Sequence, residues 1–148
     1  MLSIAHSATG AFIAAAIPNP LISTPLIFAS HYVEDWVLHW DVGTGLSSGR
    51  KKPADAFKHE LIDLALTGAF IFVFFQFSHQ GINYQAWYGA FVALIPDFLE
   101  APRNFFKWEP AWLKPINKFH GRFHHSTPDM VKGLLPQIAL LIIIALLA

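Results

Sequence analysis

The chain has 148 residues and no net charge, and 54% of it is hydrophobic, 15% aromatic and only 14% charged. A soluble domain carries about a quarter charged residues, so this balance, with a mean hydropathy of +0.42, predicts one apolar helical domain over residues 1–148. Neutral charge gives a nucleic-acid partner no electrostatic support, and the absence of cysteine removes disulfides, thiolate metal sites and cysteine nucleophiles together.

Residues 3–17 read as a first helix. Ser3, Ser7, Gly10 and Ala14 recur at helical spacing and form a stripe of small side chains, the kind that lets helices approach closely in a membrane. His6 stands beside that stripe. The apolar run 11–17 imitates a signal peptide, but no basic stretch precedes it, so the segment reads as a retained helix. Pro18 and Pro20 end it.

A second helix is expected over residues 24–40. It carries His31, Asp35 and His39 at four-residue steps. Each step turns the helix by only ~40°, so the three side chains share one face. Glu34 flanks them. One His–Asp pair is what a satisfied helix end looks like. His-x3-Asp-x3-His is the spacing of a metal site. The loop 41–53 holds scattered glycines that match no phosphate-binding pattern, and its Arg50-Lys51-Lys52 run suits anionic lipid headgroups.

A third helix over residues 54–77 repeats the arrangement with His59 and Asp63, beside Glu60. From Leu61 onward it is long and apolar enough to approach the ~20 residues a membrane span needs. His79 sits alone in a polar turn. The fourth helix, 84–99, ends in Pro96, Asp97 and Glu100, two acids on one face where the helix dipole disfavours them and a cation would favour them. Residues 101–118 mix aromatic and basic side chains, a pattern suited to an amphipathic segment in the headgroup layer between helices four and five. His120, His124 and His125 follow, three histidines in six residues. A start signal comes next, with Ser126 or Thr127 as N-cap and Pro128 as the first helical residue, and then the aliphatic fifth helix, 128–148.

All ten Lys and Arg fall in residues 50–58 and 103–132. Five spans with both basic loops inside satisfy the positive-inside rule and place the N-terminus in the cytoplasm. The same topology gathers His6, His31, Asp35, His39, His59, Asp63, Asp97, His120, His124 and His125 into one layer at the cytoplasmic side, with His79 on the other. Ionisable groups at membrane depth are costly and mark function. The expectation is a transmembrane bundle of about five helices holding one or two divalent ions through these ten residues, His6 and His39 serving as ligands or supports. Zinc fits such a donor set best, with manganese or iron as alternatives. Glu34, Glu60 and Glu100 are the candidate general bases. The chemistry expected is hydrolysis of a phosphoester or similar bond, in a lipid-like substrate reached from the membrane. The oligomeric state stays open.

His6-x3-Gly10, Leu94-Ile95-Pro96-Asp97 and His120-x4-His125-Ser126 resemble the bacterial inner-membrane, metal-dependent hydrolase-like family. In that family's last motif Gly121 and Arg122 would stand in the opposite order, His124 replaces a threonine, and the second acid, Glu100, lies one residue late. The resemblance implies a multi-span helical protein of the bacterial inner membrane with metal-dependent hydrolase activity. The paired His-x3-Asp steps are also similar to zinc-dependent phospholipase C. His120-x3-His124-His125 is similar to one histidine box of the membrane di-iron hydroxylases and desaturases, whose further boxes this chain lacks. A di-iron oxidoreductase, a metal- or partner-binding membrane protein without catalysis, and a soluble helical bundle are therefore the competing readings.

Overall fold

The computed structural model describes all 148 residues, which form seven α-helices and the loops between them, without a β-strand. In chain order they are α1 (Ser3–Ala16), α2 (Pro20–Trp36), α3 (Pro53–Ile71), α4 (Tyr84–Ala93), α5 (Ile95–Phe106), α6 (Lys114–His120) and α7 (Met130–Leu147). A π-helical turn, Phe72–Gln76, extends α3.

α1 is the central element, packed against α2, α3, α4 and α7. Its small residues allow this. Gly10 meets Gly89 of α4 backbone to backbone, and a Cβ on Gly10 would stand 2.7 Å from that of Ala93. Ser7 Oγ donates to the Ala90 carbonyl at 3.2 Å. Ala8 and Ala11 join Ile71, Phe75, Ala86, Ala90 and Ile144 in the main apolar core.

The N-terminus of α1 is capped from another helix. Asp63 of α3 accepts the backbone N–H of Ser3 at 2.6 Å and of Ile4 at 3.3 Å. Glu60 accepts the Ser3 hydroxyl at 2.7 Å. The Asp63→Ala variant leaves two amides without their acceptor, so a loss of about 1–3 kcal/mol is expected for each one that stays buried, read from denaturant unfolding in detergent.

Several predicted boundaries move. The expected second helix stops at Trp36, because Val37 turns to extended backbone (φ −69°, ψ 138°). The fourth splits at Leu94: Pro96 opens a new helix, where its missing N–H costs nothing, and Asp97 lies in the first turn of α5 rather than at a C-terminal end. There the helix dipole favours the acid. Residues 101–118 divide into the end of α5, a loop and the start of α6. The last helix begins two residues late, with Asp129 as N-cap accepting the Lys132 amide at 3.1 Å.

Two helical stretches, Pro53–Gln76 and Met130–Leu147, are long and apolar enough to cross a membrane, and only 22% and 17% of their most apolar windows are buried. The core helix of a soluble protein would be mostly buried. α1, α2, α4 and α5 have 14, 17, 10 and 12 residues. At ~1.5 Å per residue none spans a ~30 Å hydrocarbon layer by itself. Of the five expected spans, two meet the length.

Candidate metal centre

One end of the bundle collects a dense group of buried polar side chains. His6, His31, Asp35, His39 and His120 are all at most 1% exposed, and Asp41 is 5% exposed. The N-terminus of α1, the C-terminus of α2, the start of α5 and the end of α6 meet here.

Asp35 is the hub. Its Oδ2 lies 2.8 Å from His120 Nε2 and 3.5 Å from His31 Nε2. Asp97 Oδ1 stands 3.7 Å from each of the same two nitrogens. These four groups present ligand atoms within 4.8 Å of one another. On its other oxygen, Asp35 Oδ1 contacts the Met1 amino group and lies 3.2 Å from His6 Nε2 and 3.7 Å from His39 Nε2. Burial weakens the charge of that amino group, but Asp35, Asp97 and Asp41 together raise its pKa above the ordinary value.

The tautomers follow from the backbone. The Ala93 carbonyl, freed by the break between α4 and α5, accepts from His31 Nδ1 at 2.8 Å. His31 Nε2, in neutral imidazole, therefore carries the lone pair and has no hydrogen-bond partner. It faces two carboxylate oxygens, an arrangement that needs a proton or a cation in the middle. Fixing the far nitrogen on a carbonyl is how proteins orient metal-binding histidines, so the residues fit a divalent ion. His6 stacks on His31, ring centroids 3.9 Å apart. Glu34 Oε2 approaches His6 Nδ1 at 2.6 Å. His6 and Glu34 thus back the cluster from behind.

His39 and His124 arrive without a helix. A short parallel pairing of His39 with Ser126 joins the two segments. His39 N–H donates to the His125 carbonyl at 3.1 Å, Thr127 N–H to the His39 carbonyl at 2.8 Å, and His125 N–H to the Asp35 carbonyl at 3.0 Å. Gly133 of α7 seats against this extended segment, since a Cβ there would stand 2.7 Å from the His39 carbonyl carbon. His39, His124 and Asp35 form a second group with convergent ligand atoms.

The remaining candidates belong to neither ligand group. His59 is exposed and belongs to neither group. Asp63 and Glu60 hold Ser3 and Ile4, as described. His125 is exposed, and its Nδ1 donates to the Trp36 carbonyl at 3.0 Å. Glu100 pairs with Arg103 and accepts from Asn104 at 3.0 Å. His79 stands beside Leu147 and Ala148 at another cavity, away from the cluster.

Asp41 was absent from the expected ligands. Its Oδ2 lies 3.2 Å from His124 Nε2 and 3.3 Å from His39 Nε2. Burial would raise its pKa, yet the two imidazoles hold the carboxyl well below the usual range. His124 answers in the other direction: burial disfavours its charge, and Asp41 still raises its pKa. The signal in the sequence was His39-Trp40-Asp41, a His-x-Asp step that places both side chains on one side of an extended segment.

A cavity of about 210 Å³ opens beside the cluster. Asp41, Asp97, His124, Glu60, Glu100 and Arg103 are among the side chains that line it.

The fold and the site define an all-α protein with buried His/Asp clusters able to hold a metal ion. No protein-family model, curated protein or solved structure matches the chain.

Proposed function

We propose that the protein is a membrane-embedded, metal-dependent hydrolase that cleaves a phosphoester or similar bond in a lipid-like substrate. The observation that carries this reading is the group of His31, Asp35, Asp97 and His120, whose ligand atoms lie within 4.8 Å of one another, with the buried His31 Nε2 left without a hydrogen-bond partner and Asp97 lining a cavity. A divalent cation held there supplies a water of lowered pKa and a positive charge for a phosphoryl oxygen. Zinc suits two imidazoles and two carboxylates, with manganese or iron as alternatives.

The chain's own groups divide the remaining work. Glu34 and His6 keep the Asp35 side of the cluster in place. Glu60, half-buried on the cavity wall, is the candidate acceptor for a proton from water. Glu100 instead orients Arg103, whose guanidinium on the same wall offers a partner for a substrate anion. Exposed Leu21, Ile22 and Leu26 on α2, Leu61, Ile62 and Leu66 on α3 and Ile138 and Ile142 on α7 favour a lipid surrounding. The two basic stretches favour a cytoplasmic side for the site, and the bacterial inner membrane is what the family resemblance implies. The hydrolase-like family resemblance of the His6, Asp97 and His120 motifs belongs to this same proposal.

The test uses detergent-extracted protein loaded in turn with zinc, manganese or iron and offered a short-chain phospholipid in mixed micelles. Hydrolysis is expected with at least one ion, falling by more than about 100-fold in His31→Ala, since even a lost supporting partner costs ~10–100-fold. No hydrolysis with any ion, together with an oxygen-sensitive di-iron spectrum, would favour the oxidoreductase reading. Protein that stays in the aqueous phase without detergent would remove the membrane from the proposal.

A further inference from the structure

We infer that His39, Asp41 and His124, closed by Oδ1 of Asp35, hold a second divalent cation, with Asp35 bridging it to the first. The inference rests on the metal-dependent reading of the His31–Asp35–Asp97–His120 group and adds a separate site to it.

Three distances carry it. His39 Nε2 and His124 Nε2 are 3.3 Å apart, His124 Nε2 and Asp41 Oδ2 3.2 Å, and His39 Nε2 and Asp41 Oδ2 3.3 Å. A tetrahedral zinc with ~2.0–2.1 Å bonds has edges of roughly 3.3–3.4 Å, so the three atoms outline one face of such a site. The first group is less regular, with edges from 2.8 Å to 3.7 Å.

Proton counting points the same way. The Val37 carbonyl accepts from His39 Nδ1 at 2.8 Å, so neutral His39 presents a lone pair at Nε2. Asp41 Oδ2 is buried, and neither of its imidazole contacts has the alignment of a hydrogen bond. One proton, on His124 Nε2, is all that neutral imidazoles can place among these three atoms. A divalent ion satisfies all of them at once. Asp35 Oδ1, 3.7 Å from His39 Nε2, becomes the fourth donor by giving up its contact with the Met1 amino group, while Oδ2 serves the other group. A carboxylate shared in this way suits the ~3.5–4 Å separation of two-metal hydrolytic sites.

The backbone is shaped for this geometry. The turn after Asp41 is fixed by its amide donating to Thr44 Oγ1 at 3.2 Å. The seat of Gly133 on residues 39 and 40 leaves no room for a side chain. Both sites reach the cavity: His124 and Asp41 line it for the second and Asp97 for the first, and the His124 and Asp97 side chains are each 28% exposed.

The experiment titrates full-length, detergent-solubilised protein with zinc and counts ions per chain after gel filtration. Two ions are expected in the wild type, one in Asp41→Ala and one in His124→Ala. Manganese replacement gives the second readout: an exchange-coupled EPR signal in the wild type and an isolated six-line signal in the variants. If Asp41→Ala fails to fold, Asp41→Asn, which keeps the side-chain volume, carries the comparison. Two ions in every variant would overturn the inference. A single ion in the wild type, unchanged in the variants, would overturn it and leave the first site standing. No ion in a folded wild type would overturn the metal-dependent reading itself.

Discussion

The Asp35→Asn variant is expected to lose all bound metal while its neighbours lose it in part. Asp35 offers one oxygen to the His31 and His120 nitrogens and the other to the His39 side. Asparagine keeps the size but replaces one oxygen with an amide that brings protons to a place already rich in donors. The two proposed sites would then lose a shared anionic ligand at once. The loss of affinity should exceed the ~10–100-fold that removing a supporting partner costs. Elemental analysis of the purified variant reads the result directly, and hydrolysis should fall with it. His59→Ala is the matched control: the side chain is exposed and outside both groups, so metal content should not change. An Asp35→Asn protein that retains its full complement of ions would refute the hub role.

The second large effect is mechanical. Gly89→Leu is expected to cost about 3 kcal/mol or more, because overpacking costs ~1–3 kcal/mol even where side chains can shift, and here the obstacle is backbone. A Cβ at residue 89 already falls 2.6 Å from that of Ala14 and collides with the Gly10 carbonyl. α1 must then move off α4, carrying His6 away from Asp35. Loss of cooperative unfolding in detergent, with reduced metal content, is the expected readout. Gly68→Ala makes the contrast. A Cβ there meets nothing within 4 Å, so the change should stabilise α3 by about 0.5–1 kcal/mol. Equal effects of the two substitutions would mean that α1 and α4 do not cross closely.

Much of this arrangement was legible in the chain. The small-residue stripe of α1 announced a close helix contact, and Gly10 on Gly89 is that contact. The His31–Asp35 step put two groups on one face because α2 is helical through Trp36. His39 reached the same place by a different route. The periodicity that named it assumed a helix, whereas residue 39 lies in extended backbone paired with Ser126. His59 shows the limit of spacing. Its interval to Asp63 equals that of His31 to Asp35, but the inward side of α3 is set by Ala56, Asp63, Thr67 and Ile71, and His59 is exposed. Spacing along one helix fixes neighbours on that helix and says nothing of what stands opposite. Asp41 was missed for the same reason: only the fold brings His124 to it. The five-helix expectation counted hydrophobic runs, and Pro96 divided one of them where the run itself continued.

The pairing of residues 35–39 with 125–127 also sets an order of events. Side chains 85 positions apart, His120 with Asp35 and His124 with His39, must find each other. Closing so long a loop is entropically expensive and gains nothing until both ends are present. During synthesis α1 and α2 emerge early, with half of the centre in place. The other half is withheld until α3 to α6 have been laid down. Any ion that requires both halves could bind only to a chain whose helices have already been arranged, which would make the proposed metal uptake a late checkpoint on assembly.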